Sequence, residues 1–210
     1  MSYALDLFVL VADLDQQQAV KVLLEQRGPS LGIRTPAFET TKHPQHDGGC
    51  YKTSPAILQT VQRQAARAIV MLDREGSGAE SKSAEEIEAD LDQRLSESGW
   101  GDRARTVVLD PEIEIWVWSS SPHVDDVLRW PSGAPALREW LTGKGFLQPG
   151  EAKPARPKEA LHSALREGRV KPSAALFAEL ASKVSLDHCQ DRAFLRFRET
   201  LRAWFGPRAT

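Results

Sequence analysis

The chain has 210 residues, of which 41% are hydrophobic and 27% charged, the balance of one large folded domain or of one domain with an appendage. No apolar run approaches the roughly 18 residues of a membrane span. The start "MSYALDLFVLVADL" lacks the basic region and cleavage site of a signal peptide, and Cys50 and Cys189 are too few for a disulfide framework. The expectation is a soluble, cytoplasmic protein with no membrane partner.

The net charge of −2 conceals an asymmetry. Residues 151–210 carry 12 Lys and Arg against 7 Asp and Glu, which leaves 15 against 22 for residues 1–150. An acidic body therefore bears a basic end that could meet nucleic acid, or could simply be a solvated helical surface.

Residues 5–12, "LDLFVLVA", read as a strand by apolar content, and "DQQQAVKVLLEQRG" reads as a helix capped by Asp15 and stopped by Gly28. Residues 32–41 read as extended, with Pro36 hinting at an edge. "KHPQHDGGCYKT" reads as a loop, and Ser54-Pro55 as the N-cap and first residue of a helix running to about Arg67. The apolar run of residues 67–72 is a buried strand that ends on Asp73 and Glu75, followed by Gly76 and Gly78. A helix begins at Ser83, where "SAEE" has the capping-box pattern. Residues 105–109 form the next strand. "DPEIEIWVW" fits either strand alternation or a helix beginning at Pro111, and the Asp-Pro-Glu start favours the helix. Everything beyond residue 121 reads helical, with residues 147–157 as linker.

Strands alternating with helices predict an α/β fold with a mostly parallel sheet, residues 1–146, followed by a helical extension packed on it, residues 147–210. Ligands of open α/β sheets bind beyond the carboxyl ends of the strands. Asp13 and Asp15, Asp73 and Glu75, and Asp110, Glu112 and Glu114 all fall there. Three acidic groups at one edge repel unless cations sit between them, and oxygen donors of this kind suit Mg²⁺ or Mn²⁺. For Asp15 and Asp110 the plainer reading is a helix cap. For Asp73 and Glu75, with glycines beside them, it is a metal pair. His43, His46 and Asp47 lie in a loop that can reach the same edge and touch phosphate or a metal. His43, His46 and Cys50, with His188 or Cys189, could be read as zinc ligands, but their spacing fits no standard structural zinc pattern. In the tail, Phe194, Phe197, Leu201 and Trp204 form an apolar stripe. Arg196 and Arg202 are left off it, open to a phosphate backbone or an acidic partner.

In the order of "VLVADLDQQQAVKVLL", "AIVMLDREGSG", "DPEIEIWVW" and the tail from Arg156 to Trp204, the chain resembles the TOPRIM fold. More closely, it resembles an uncharacterised bacterial TOPRIM-like family found beside phage-defence genes. The resemblance implies a TOPRIM-like sheet, Mg²⁺ held by Asp73 and Glu75, Glu114 and Asp13 as further catalytic candidates, and other defence proteins, DNA or RNA as partners. The family pattern places Glu-Gly at the end of the first strand, where this chain has Ala12-Asp13, so Asp13 stands one residue out of step. Two readings stay open: a Mg²⁺-dependent enzyme acting on nucleic-acid phosphodiesters, and a non-catalytic adaptor with a degenerate site.

Overall fold

The computed structural model describes residues 3–187 and 189–207. In chain order the elements are β1 (Leu5–Val11), α1 (Leu14–Gln26), the single turn α2 (Gly28–Leu31), β2 (Phe38–Lys42), α3 (His46–Val61), β3 (Ala65–Asp73), α4 (Ala84–Leu95) and β4 (Ala104–Leu109). A 3-10 turn at Ile113–Trp116 leads to α5 (His123–Leu128), α6 (Leu137–Gly143), α7 (Pro157–Glu167), α8 (Ala174–Lys183) and α9 (Arg192–Phe205).

The four strands are parallel and ordered β2-β1-β3-β4. Side chains of a strand alternate between faces, and the core divides accordingly. Leu7, Val9, Val11, Ile69, Met71, Val107 and Leu109 face α1 and the C-terminal helices. Phe8, Leu10, Ala12, Ala68, Val70, Leu72 and Val108 face α3 and α4. A sheet covered on both sides explains why β1, β3 and β4 read as largely apolar sequence, while the edge strand β2, FETTK, does not. Phe194, Phe197 and Leu201 of α9 share the first core, so the basic tail is packed on the body, and Trp204 is half-buried beside it. Among the described residues no helix is long and apolar enough to cross a membrane.

Two expectations are corrected here. The stretch read as a loop is helical from His46, and Pro55 lies inside α3, not at its start. A mid-helix proline removes one N–H and orphans the carbonyl four residues earlier. That carbonyl, of Tyr51, accepts from Arg94 Nη1 at 2.7 Å, and Arg94 Nη2 donates to Lys52 O at 2.7 Å. A side chain of α4 thus satisfies what the proline left open. Beyond β4, the expected helix from Pro111 contracts to the turn Ile113–Trp116, because Glu112 is fully extended (φ −159°, ψ 168°).

The outer edge of β4 is closed without another strand. Thr106 N–H donates to Asp92 at 2.6 Å and Val108 N–H to Glu88 at 2.9 Å. Their carbonyls accept from Arg196 Nε at 2.7 Å and Arg192 Nη2 at 2.6 Å. Two residues of a strand advance about 6.6 Å, and four residues of a helix about 6 Å. Pairs spaced i, i+4 on α4 and on α9 therefore match successive outward groups of the strand. The carboxylates and guanidiniums also bind one another, Glu88 to Arg192 at 2.8 Å and Asp92 to Arg196 at 2.8 Å.

Candidate functional site

The carboxyl ends of β1, β3 and β4, with the start of α3, bring Asp13, Asp47, Asp73, Glu112 and Glu114 into one electrostatic neighbourhood. Asp13 ends the first strand by capping α1: its Oδ1 accepts from Gln16 N at 2.8 Å. This corrects the assignment of the cap to Asp15, and it commits one carboxylate oxygen of Asp13 to a backbone donor. Gln16 is wholly buried. Its Oε1 accepts from Ala12 N at 3.0 Å, and its Nε2 donates to Asp73 Oδ1 at 2.8 Å. The amide thus spans the gap between the ends of β1 and β3.

Asp73 is 5% exposed. Its backbone N–H donates to Asp47 Oδ1 at 2.7 Å, which ties the first turn of α3 to β3. Burial, then the charges of Asp47, Asp13, Glu114 and Glu112, push the Asp73 carboxyl well above the ordinary range. Burial likewise raises Asp47, whose hydrogen bond from Asp73 opposes the shift. Asp15 is raised by burial and by Asp13.

Glu75 goes elsewhere. Its N–H donates to Pro111 O at 3.0 Å, and its side chain is exposed. Gly76 and Gly78 take positive φ (84° and 76°), and both N–H groups donate to Glu80 Oε1 at 3.0 Å. The glycine turn is therefore filled by the chain's own carboxylate. Asp110, exposed, pairs with Arg74 at 2.7 Å.

Glu112 and Glu114 are buried, at 6% and 4% exposure. The start of α7 delivers Lys158 to them. Lys158 N–H donates to Glu112 Oε1 at 3.1 Å, and its Nζ lies 3.2 Å from Glu112 Oε2 and 3.7 Å from Glu114 Oε1. Glu114 Oε2 is buried with no hydrogen-bond partner among the described residues. Burial pushes the Glu114 carboxyl up to about 7 although Lys158 opposes the shift. Burial would lower Lys158, but Glu114 and Glu112 outweigh it and hold the ammonium above its ordinary value.

Of the remaining candidates, His43 and His46 do reach this edge, His43 backbone N–H donating to Val11 O at 2.8 Å and His46 preceding Asp47 in the first turn of α3, while Arg196 and Arg202 lie elsewhere. His43 is 1% exposed; its Nδ1 accepts from Gln45 N at 3.0 Å, which leaves Nε2 to donate to Thr53 Oγ1 at 2.9 Å. Both ring nitrogens are thus used inside the fold, and burial lowers its pKa. His46 is exposed at the first position of α3 with φ 51°. Arg196, expected to be free, is bound to Thr106, Asp92 and Glu88 on β4 and α4. Arg202 keeps an exposed surface while its Nε donates to Leu31 O at 2.7 Å. Burial raises the Cys50 thiol, Cys189 is half-buried, and His188 lies outside the described residues.

Among the described residues no three His, Cys, Asp or Glu side chains converge to hold a metal ion. Asp73 faces Gln16 inside the edge and Glu75 faces solvent, so the residues expected to bind Mg²⁺ do not fit one ion as they stand. The cation beside the buried glutamates is an ammonium of the chain itself.

Gln16 and Lys158 were not singled out from sequence. Asp13-x-x-Gln16 is a capping-box spacing that points to Gln16. Lys158 carries no local signal, because its partners lie more than 40 residues away. No family model, curated protein or solved structure matches the chain.

Proposed function

We propose that this chain is a component of a bacterial antiphage defence system, acting as a non-catalytic adaptor with a TOPRIM-like fold and a degenerate site. The defence setting rests on the family resemblance, an argument by analogy. The observation that carries the adaptor reading is the Gln16–Asp73 hydrogen bond at 2.8 Å. It spends an oxygen of the one buried acid of the expected metal pair on a neutral amide, while Glu75 points to solvent. Its partners would be other proteins of the same system.

The second reading, Mg²⁺- or Mn²⁺-dependent action on nucleic-acid phosphodiesters, is favoured by the unpartnered buried oxygen of Glu114. That oxygen is held in a carboxylate-rich edge beyond parallel strands, where such folds bind ligands.

One pair of measurements separates them. In cells carrying the whole defence cluster, Asp73→Asn and Glu75→Gln should protect against phage as the unaltered chain does, while deletion of the chain abolishes protection. With purified protein, Mn²⁺ should leave the melting temperature unchanged, and DNA and RNA should stay intact. Metal-dependent cleavage that disappears in Asp73→Asn would replace the adaptor reading with the enzymatic one.

A further inference from the structure

Away from the acidic edge, a cleft of about 680 Å³ opens between the segment after β4, the stretch before α7 and the start of α9. A second hollow of about 410 Å³ shares Trp118, Ser119–Pro122, Arg138 and Ala152 with it. Volumes of this order are those of small-molecule sites, which combine apolar walls with a few placed polar groups. We propose that this cleft binds a small aromatic anion of nucleoside monophosphate type, with its ring against Trp116 and its phosphate toward Arg138.

Two observations on the lining carry this. The indoles are fixed by the protein: Trp116 Nε1 donates to Asp191 at 2.9 Å and Trp118 Nε1 to Pro157 O at 3.0 Å. Trp118 is 5% exposed and belongs to the core, while the half-buried Trp116, its N–H spent, meets the cleft as carbon surface, a contact for a flat heterocycle. Charge comes next. Among the described residues, Arg138, Lys153 and Arg192 line the larger cleft against the carboxylate of Asp191, and Asp125 lines the second hollow with Arg138. Lys153 is paired with Asp191 at 3.1 Å, and Arg192 with Glu88 and Glu85. Arg138 instead donates its two Nη groups to the carbonyls of Glu151 and Ala152. Those bonds orient the guanidinium without neutralising it, the state in which arginine meets a phosphate.

Free mononucleotides and the 5′-phosphorylated end of a nucleic-acid strand share this chemistry, and the test separates them. Isothermal titration calorimetry of the full chain would use the four ribonucleoside monophosphates, the matching nucleosides, inorganic phosphate and a 5′-phosphorylated oligonucleotide. At least one monophosphate should saturate, more tightly than its nucleoside. Arg138→Gln should weaken the monophosphate about tenfold, the scale of one lost charged contact, and leave the nucleoside within about twofold. The proposal is overturned if no monophosphate saturates, or if Arg138→Gln weakens nucleoside and monophosphate equally. It is also overturned if inorganic phosphate binds as tightly as the monophosphates, or if only the oligonucleotide saturates.

Discussion

Two charged clusters flank the same sheet and are resolved in opposite ways. On the outer side of β4, Glu88 and Asp92 each accept a strand N–H and a guanidinium, while Arg192 and Arg196 each donate to a strand carbonyl. At the carboxyl ends of the strands, a larger group of acids has, among the described residues, the ammonium of Lys158 against two of its members. One cluster is closed by mutual satisfaction. The other is left with raised carboxyls and an unpartnered oxygen on Glu114. Count and kind of residue do not distinguish a structural charge cluster from a chemically poised one; donor supply does.

The largest expected effect breaks the closed cluster. Glu88→Ala leaves the Val108 N–H unpaired and takes from Arg192 and Arg196 their buried carboxylate, with only the more exposed Glu85 and Asp92 remaining to them, and should cost about 3–5 kcal/mol in urea unfolding, the scale of a broken buried pair. Arg196→Glu, which sets a third carboxylate beside Glu88 and Asp92, should be at least as severe. A loss below about 1 kcal/mol would show that this edge is a solvated surface.

Next in size is the pH response of the open cluster. A carboxyl raised from 4.5 to about 7 by folding holds its proton more tightly in the native state. Its stabilising contribution is complete below about pH 4.5 and is lost as pH rises through 7. Over that window the unaltered chain should lose on the order of 3 kcal/mol relative to Glu114→Gln in parallel denaturant titrations. Parallel curves would mean that Lys158 already balances Glu114.

A smaller effect in the same direction is expected at Asp73. Asparagine can still accept from Gln16 and removes a charge that burial and four neighbours oppose, so Asp73→Asn should raise stability near pH 7 by roughly 1 kcal/mol. A fall in melting temperature would identify the Asp73 carboxylate as a structural anion. Smallest of all, Arg202→Ala gives up one hydrogen bond to Leu31 O and should cost about 1 kcal/mol or less.

The α/β order, the strands and the capping box at Ser83 could be read from the sequence because each depends on neighbours within a few residues. The capping box closes as that pattern requires, between Ser83 and Glu86. Pro55 misled because the donor that rescues its helix is Arg94, on another element. Arg196 looked free for the same reason: helical spacing puts it off the apolar stripe but says nothing of Thr106 and Asp92, 90 and 104 residues distant. At the acidic edge the sequence supplied the acids, but not which were spent: the Asp13 cap, the Gln16 bridge and the approach of Lys158 are fixed only once the strands are registered and α7 has docked.

The seal on β4 also sets an order of events during synthesis. The strand and its two carboxylates are complete once residue 109 has been made, but the arginines that answer its carbonyls arrive only at residues 192 and 196. For the intervening stretch of translation, the nascent chain carries an incompletely capped parallel sheet, the kind of edge on which unfinished chains pair with one another. A ribosome stalled before α9 would therefore release a sticky fragment, and α9 is the helix that closes the β4 edge, leaving β2 as the sheet's other edge.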